Sequence, residues 1–472
     1  MKRPSDRTGP RTLAHGAVLG LAGVLLMAGP PGPLRAAPAT AAWEPDLEAE
    51  PHRYFQRTPR DRFSRLIPDL AEGRLPLDRS SERALVRSLL RALDIPESSQ
   101  LLVFSNTSLQ LSLIHPGNPR ALYFSDELYL GHVPGGKIEV ATLDPDLGAV
   151  FYLFDLPREG SRVSVERARR CMNCHANEDT MEVPGLSVKS VAPGPEGGSL
   201  DTFRTGLSGH AVPLSERLGG WYVTGTGGFD GHWGNRMGRL VQGELGATPL
   251  EPGRRFSLDR YPVATSDFLA HLLHEHQVGG VNRLVRAQYR WREVRHRHGG
   301  SLPLASPADL EAELAELVGY LLFAGEVPLP AGGVAGDPAF REAFARNRRE
   351  VESRSLKDLD LRTRLMRHRC SYLVHTPFFD GLDPALRHRI LGDLDRALAD
   401  ASEATTGATT GTGTGATTGA ATGATHTHST HATKATGLGT PNAASRHLGG
   451  DEAATIRRIL KATVPGYPGG TT

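Results

Sequence analysis

Cysteine is scarce in this chain of 472 residues, with three in all. Three cannot build the network of bridges on which a disulfide-scaffolded fold depends. A charge excess of either sign is also missing. The 54 Lys and Arg residues stand against 52 Asp and Glu, a formal net charge of +2. So balanced a chain offers no electrostatic case for nucleic acid or for an anionic membrane surface. Long apolar runs are absent beyond the first thirty residues, so the sequence predicts no membrane span in the mature chain. No repeat of 20 to 50 residues is visible.

What is present begins with an export-like N-terminus. Lys2, Arg3, Arg7 and Arg11 precede an uncharged, largely apolar run over 13–27, followed by small residues that offer cleavage sites around 37–41. That order of charge, short apolar run and small residues predicts a signal peptide over 1–41, with an uncleaved anchor as the alternative. No cysteine lies near the cleavage region, which argues against a lipoprotein. The expected location is periplasmic or secreted.

Hydrophobic residues make up 39% of the chain, enough for a substantial core. Residues 42–262 read as a mixed, strand-rich region. A helix is expected from Ser80 to Leu93, capped by Ser80 or Ser81. Short apolar runs bounded by Gly, Pro, Asn or Asp at 101–104, 121–124, 138–143 and 150–154 predict strands. Residues 165–170 read as the start of a helix, and 184–262 as Gly-rich, strand-like text. Residues 263–403 read as helical. Phe268, Leu269, Leu272, Leu273, Val281, Leu284, Val285 and Tyr289 recur with helical period over 266–295, with Gly279-Gly280 as a point of breakage or kinking. Ser306-Pro307 is expected to open a second helix with Ser306 as its cap. Further helices are expected at 338–350, 358–370 and 384–399. Residues 404–440 are nearly all Thr, Gly and Ala, too poor in apolar surface to offset the entropy of ordering. They read as a flexible insert, and 441–472 as a last helix and tail with Asp451 as the helix cap. The fold class is therefore α+β, with a strand-rich N-terminal half and a helical C-terminal half.

The chemistry lies in Cys171-Met172-Asn173-Cys174-His175, a complete C-x-x-C-H. Two thiols at this spacing add across the two vinyl groups of a haem to give thioethers, and the next residue sets an imidazole beneath the iron. One covalent haem c is predicted, held by Cys171 and Cys174, with His175 as the proximal iron ligand. A zinc site would need a second Cys/His pair at suitable spacing, and none is convincing. A thioredoxin-like dithiol would need a strand before the motif and a helix after it.

The wording around the motif resembles an uncharacterised family of exported proteins that carry a single c-type cytochrome motif. The shared text covers residues 119–124, 147–152, 171–176, 183–185, 213–217, 219–226, 234–235, 355–365 and 370–373. It extends over roughly 52–400 and the terminal helix. The resemblance implies haem binding and electron transfer, and no known substrate. One departure stands out. The family pattern has a histidine where this chain has Gly227, so a ligand role at that position is not available here.

What faces the iron opposite His175 decides the chemistry. A second protein ligand favours electron transfer, whereas an open side permits peroxide, oxygen or nitrogen-oxide chemistry. His210 and His232 are the first candidates, since both lie in Gly-rich loop text downstream of the motif. Met237 follows, then Met181, whose closeness to His175 makes the opposite face hard to reach. For each, packing or solvation is the ordinary alternative. His271, His274 and His276 lack the spacing of a zincin and read as a solvated helix face. His296 and His298 read as surface, and His426, His428 and His431 as part of a polar linker. Trp221, Tyr222 and Trp233 are candidates to line a haem pocket, with core packing the commoner case. Cys370 reads as a small buried hydrophobe. Three functions remain open: an electron carrier with an unidentified redox partner, a peroxidase-like oxidoreductase, and a haem-based sensor.

Overall fold

The computed structural model describes residues 43–157, 162–203, 206, 208–225, 231–303, 305–408 and 444–470. The predicted signal peptide, Gly227 and nearly all of the Thr/Gly/Ala tract lie outside these residues. From Glu44 onward the chain forms one compact unit.

After a short helix α1 (Ile67–Ala71), helix α2 (Glu82–Ala92) forms where it was expected. Ser81 caps it by accepting from the Ala84 amide at 3.1 Å, and Leu85, Val86, Leu89 and Leu90 face inward. Strands β1 (Leu101–Val103), β2 (Arg120–Phe124), β3 (Leu128–His132), β4 (Ile138–Asp144), β5 (Gly148–Phe154) and β6 (Glu166–Arg167) follow. The motif occupies a single helical turn, α3 (Met172–His175). Beyond it come β7 (Val191–Pro193), β8 (Ser199–Thr202), β9 (Trp221–Tyr222) and the hairpin of β10 (Arg236–Val241) and β11 (Glu244–Pro249). Among the described residues the main sheet has seven strands in the order β6-β5-β4-β3-β2-β1-β9, all antiparallel.

Both faces of this sheet are covered, so its central strands read as nearly continuous apolar text rather than alternating text. Segment 52–63 and α2 lie against one face. There Tyr152 donates to Asp61 at 2.7 Å, and His132 pairs with Glu82 at 2.8 Å. Helix α4 (Phe268–Arg297) lies across the other face, with Gln277 bonded to the Ser125 carbonyl and Tyr289 to that of Leu147. Helices α5 (Ala308–Leu321), α6 (Pro338–Ala345), α7 (Pro377–Asp380), α8 (Pro384–Ala408) and α9 (Gly450–Thr463) complete the helical half. The architecture is α+β, strand-rich before residue 262 and helical after it.

Several local expectations give way. Residues 165–170 enter as the edge strand β6 and a 3-10 turn, because the neighbouring β5 backbone offers ladder hydrogen bonds that an isolated helix start lacks. Residues 358–370 form no helix; an isolated bridge between Leu359 and Met366 closes a turn there, with the Asp360 carboxylate accepting from the amides of Arg362 and Thr363. Gly279-Gly280 neither breaks nor kinks α4 into two helices, since the helix runs unbroken over 30 residues. Helix α5 begins one residue past Pro307, which stands at the cap position without a side-chain bond, and Gly449 stands at the cap of α9.

The largest correction concerns His271, His274 and His276. They are not a solvated face: all three are buried, because α4 has the sheet on one side and the other helices around it. Its residues face protein nearly all round, so its apolar stripe alone did not report how deeply it sits.

Candidate haem site

One helical turn brings residues three and four apart to the same side. In α3 and the 3-10 turn before it, this sets Cys171, Cys174 and His175 against one cavity of about 470 Å³. That size lies within the ~300–1,000 Å³ usual for cofactor pockets. The motif turn ends at Ala176, and Asn177 opens the next 3-10 turn, Glu178–Thr180, through a capping box with Thr180.

The returning loop fixes the imidazole. The Gly185 amide donates to the His175 carbonyl at 2.9 Å, and His175 Nδ1 bonds the Gly185 carbonyl at 3.0 Å. Asn282 of α4 grips the next residue from both sides, accepting from the Leu186 amide and donating to its carbonyl, each at 2.8 Å. Residue 185 must be glycine for this approach, since a Cβ would come within 2.5 Å of Asn282 Oδ1. Trp221 donates its indole N–H to the Lys189 carbonyl at 2.9 Å and tethers the far end of the loop. With Nδ1 engaged as a donor, the neutral ring leaves Nε2 as its available lone pair, the arrangement metal-binding histidines use. Burial lowers the His175 pKa to about 4, so the imidazole is neutral at ordinary pH.

The floor of the cavity is one face of the sheet. Phe151, Ala141, Tyr129 and Phe124 form one cross-strand row over β5, β4, β3 and β2. His175 packs on Phe151 with ring centroids 4.3 Å apart. The neighbouring row of Leu153, Glu139, Gly131 and Leu122 carries the polar end. There the Arg120 guanidinium pairs with Glu139 at 2.8 Å and lies over Gly131. A Cβ on Gly131 would stand 2.6 Å from Arg120 Nη2, so glycine makes the bed for the guanidinium.

The motif histidine, its two cysteines, the tethered loop and a largely apolar cavity fit a haem. Lys189, Arg120 and Arg170 border the cavity and suit the two carboxylates of such a group. The buried Ser187 Oγ and Arg120 Nε have no hydrogen-bond partner among the described residues, a costly state that a polar group bound beside them would relieve. Leu109 and Leu111 at the cavity wall are 43% and 54% exposed, apolar surface that a flat apolar ring would cover. Burial pushes the Cys171 thiol up to about 12. That is the opposite of the depressed pKa on which a redox dithiol relies. Among the described residues, no group of three or more His, Cys, Asp or Glu side chains is placed to hold a metal ion alone.

The candidates for the opposite face are scattered. His210 does not reach the cavity. It is buried against Tyr320 and Phe323, with Nδ1 2.8 Å from His276 Nδ1 and Nε2 3.4 Å from the Ala324 carbonyl. His232 accepts from the Gly234 amide and stacks on Phe268, and Met237 lies in the β10–β11 hairpin. Met181 adopts a left-handed turn conformation and presents its carbonyl to Arg286. None of the four lines the cavity. Trp221 does, whereas Tyr222 points to the other side and bonds the Pro116 carbonyl, and Trp233 packs on Phe203. Cys370 is fully buried, its thiol pushed up to about 12. The residue that sequence reasoning passed over is His274, which lines the cavity together with Val278 one turn later. Its signal was a histidine inside an otherwise apolar helical run, legible only once the buried face of α4 is known.

No protein-family model, no curated protein and no solved structure matches this chain. Among the described residues no helix is long and apolar enough to cross a membrane.

Proposed function

We propose that this chain is an exported, periplasmic or secreted monohaem c-type cytochrome that transfers electrons to and from a separate redox partner. The observation that carries this reading is the convergence of Cys171, Cys174 and His175 on one cavity, with His175 oriented through Nδ1 by the Gly185 carbonyl. A haem held there supplies a one-electron redox couple. Cys171 stays protonated, the form in which a thiol adds across a vinyl group without any oxidant. His175 stays neutral and so can ligate iron. Arg120, Arg170 and Lys189, which border the cavity, would hold the propionates. The even charge balance gives no reason to invoke nucleic acid as that partner.

The test is expression in a host that matures c-type cytochromes, followed by haem staining of the denatured chain. Covalent haem in the native sequence, lost when both cysteines become alanine (C171A with C174A), supports the proposal. A native chain that never carries covalent haem in such a host overturns it.

A further inference from the structure

Burying a histidine side chain without a hydrogen-bond partner is costly, and the three buried histidines at the start of α4 meet that demand differently. His271 Nε2 lies 3.1 Å from Ser266 Oγ and 3.3 Å from the Tyr222 carbonyl. His276 bonds Ser371 through Nε2 and His210 through Nδ1. His274 is equally buried, at 3% exposure, and its ring packs beside the aromatic rings of Phe124 and Tyr129. It faces the cavity that His175 faces.

Its neighbours give its position. The ring lies 5.1 Å from Phe124 and 5.8 Å from Tyr129. These are the β2 and β3 members of the same cross-strand row whose β5 member, Phe151, supports His175. The two imidazoles thus stand over opposite ends of one row. Between them lies Ala141, which contributes only a methyl group. Two to three strand spacings of about 4.8 Å separate β5 from the β3 and β2 residues beside His274, so the two positions on the sheet are on the order of 10–14 Å apart. That leaves room for a metal between the rings. Arg120 lines the same cavity as both imidazoles.

We infer that His274 is the second axial ligand of the haem, on the side opposite His175. This rests on the haem reading above and decides within it: iron held by two imidazoles is closed to small molecules and suited to electron transfer. Gly227, where the resembling family has histidine, needs no replacement from a loop, because α4 brings its own. The rigid helix, clamped to the proximal loop through Asn282, holds both ligands to one frame.

The experiment uses the full-length holoprotein, with covalent haem content measured first. Absence of haem from the native protein would sink the haem reading itself, and this assignment with it. With haem present, the ferric native protein is expected to be wholly low-spin by electron paramagnetic resonance, and the ferrous form not to bind carbon monoxide. His274→Ala should become high-spin, bind carbon monoxide, and regain the low-spin signature when imidazole is added. His274→Met should remain low-spin with a raised midpoint potential, which gives a readout if the alanine variant folds poorly. His232→Ala should change none of these spectra. A high-spin native protein, or His274→Ala and His274→Met variants spectrally identical to it, would overturn the assignment and leave covalent haem attachment standing. The open-site oxidoreductase or sensor would then be favoured.

Discussion

Gly279→Ala sets two effects of similar size against each other. Alanine in a helix interior is favoured over glycine by about 1 kcal/mol. Against that, a Cβ at position 279 would stand 2.4 Å from the Tyr320 hydroxyl, 2.7 Å from the Ser208 carbonyl oxygen and 3.0 Å from Gly209 Cα. Two of these three are backbone atoms and cannot rotate away. The Tyr320 hydroxyl is held too, since it donates to the His276 carbonyl at 2.8 Å and its ring lies under Arg283. Overpacking of this kind costs about 1–3 kcal/mol, and a strained buried hydrogen bond about 1 kcal/mol more. The net expectation is destabilisation by about 1–3 kcal/mol. Gly280→Ala is the internal comparison. Its Cβ would meet chiefly Leu373 Cδ1, at 2.3 Å, the far end of a side chain that can change rotamer. It should stay within about 1 kcal/mol of the native protein. Urea unfolding of the three proteins in parallel measures both differences. If Gly279→Ala proves as stable as the native chain, or less damaging than Gly280→Ala, then backbone approach at α4 is not what those glycines serve, and this reasoning is wrong.

Acid should weaken the fold in two stages. His271, His276 and His375 are each held near a pKa of about 3 by burial. Their ordinary value is 6.5, so below it the unfolded chain takes up protons the folded chain refuses. Stability then falls by about 1.4 kcal/mol per pH unit for each. Glu127 and Glu326, raised to about 7 by burial, work the other way between about 7 and 4.5, where only the folded chain keeps their protons. The loss should therefore be shallow from pH 6.5 to 4.5 and steep below; equal urea midpoints at pH 5 and pH 4 would contradict this. Cys370 should resist alkylation in the native protein at pH 8 and react only on unfolding, as its buried thiol, pushed up to about 12, requires; native labelling at the rate of a free thiol would show that the segment opens.

Much of the architecture was legible before the structure. Helix α2 announced itself through Ser81 and the period of Leu85, Val86, Leu89 and Leu90, and four of the strands through short apolar runs. Strand β3 went unread because Gly131 and His132 interrupt its apolar text, and β6 because an edge strand of Glu166 and Arg167 carries no apolar signal. The turn at 358–370 misled because its charged and apolar residues mimic helical period while Asp360 bonds the local backbone instead.

By itself the sequence determined the local chemistry: two thiols and an imidazole on one helical turn, a spacing set by covalent geometry wherever the turn ends up. It also determined the order of strand-rich and helical halves, through apolar period and turn residues. Only the tertiary structure decided what stands opposite that turn. His210, His232 and Met237 are near the motif in sequence yet away from its cavity, while His274, a hundred residues on, lines it. The reason is physical: which face of α4 meets the sheet follows from the packing of glycines, aromatics and clamped loops drawn from across the chain, and no local spacing records it.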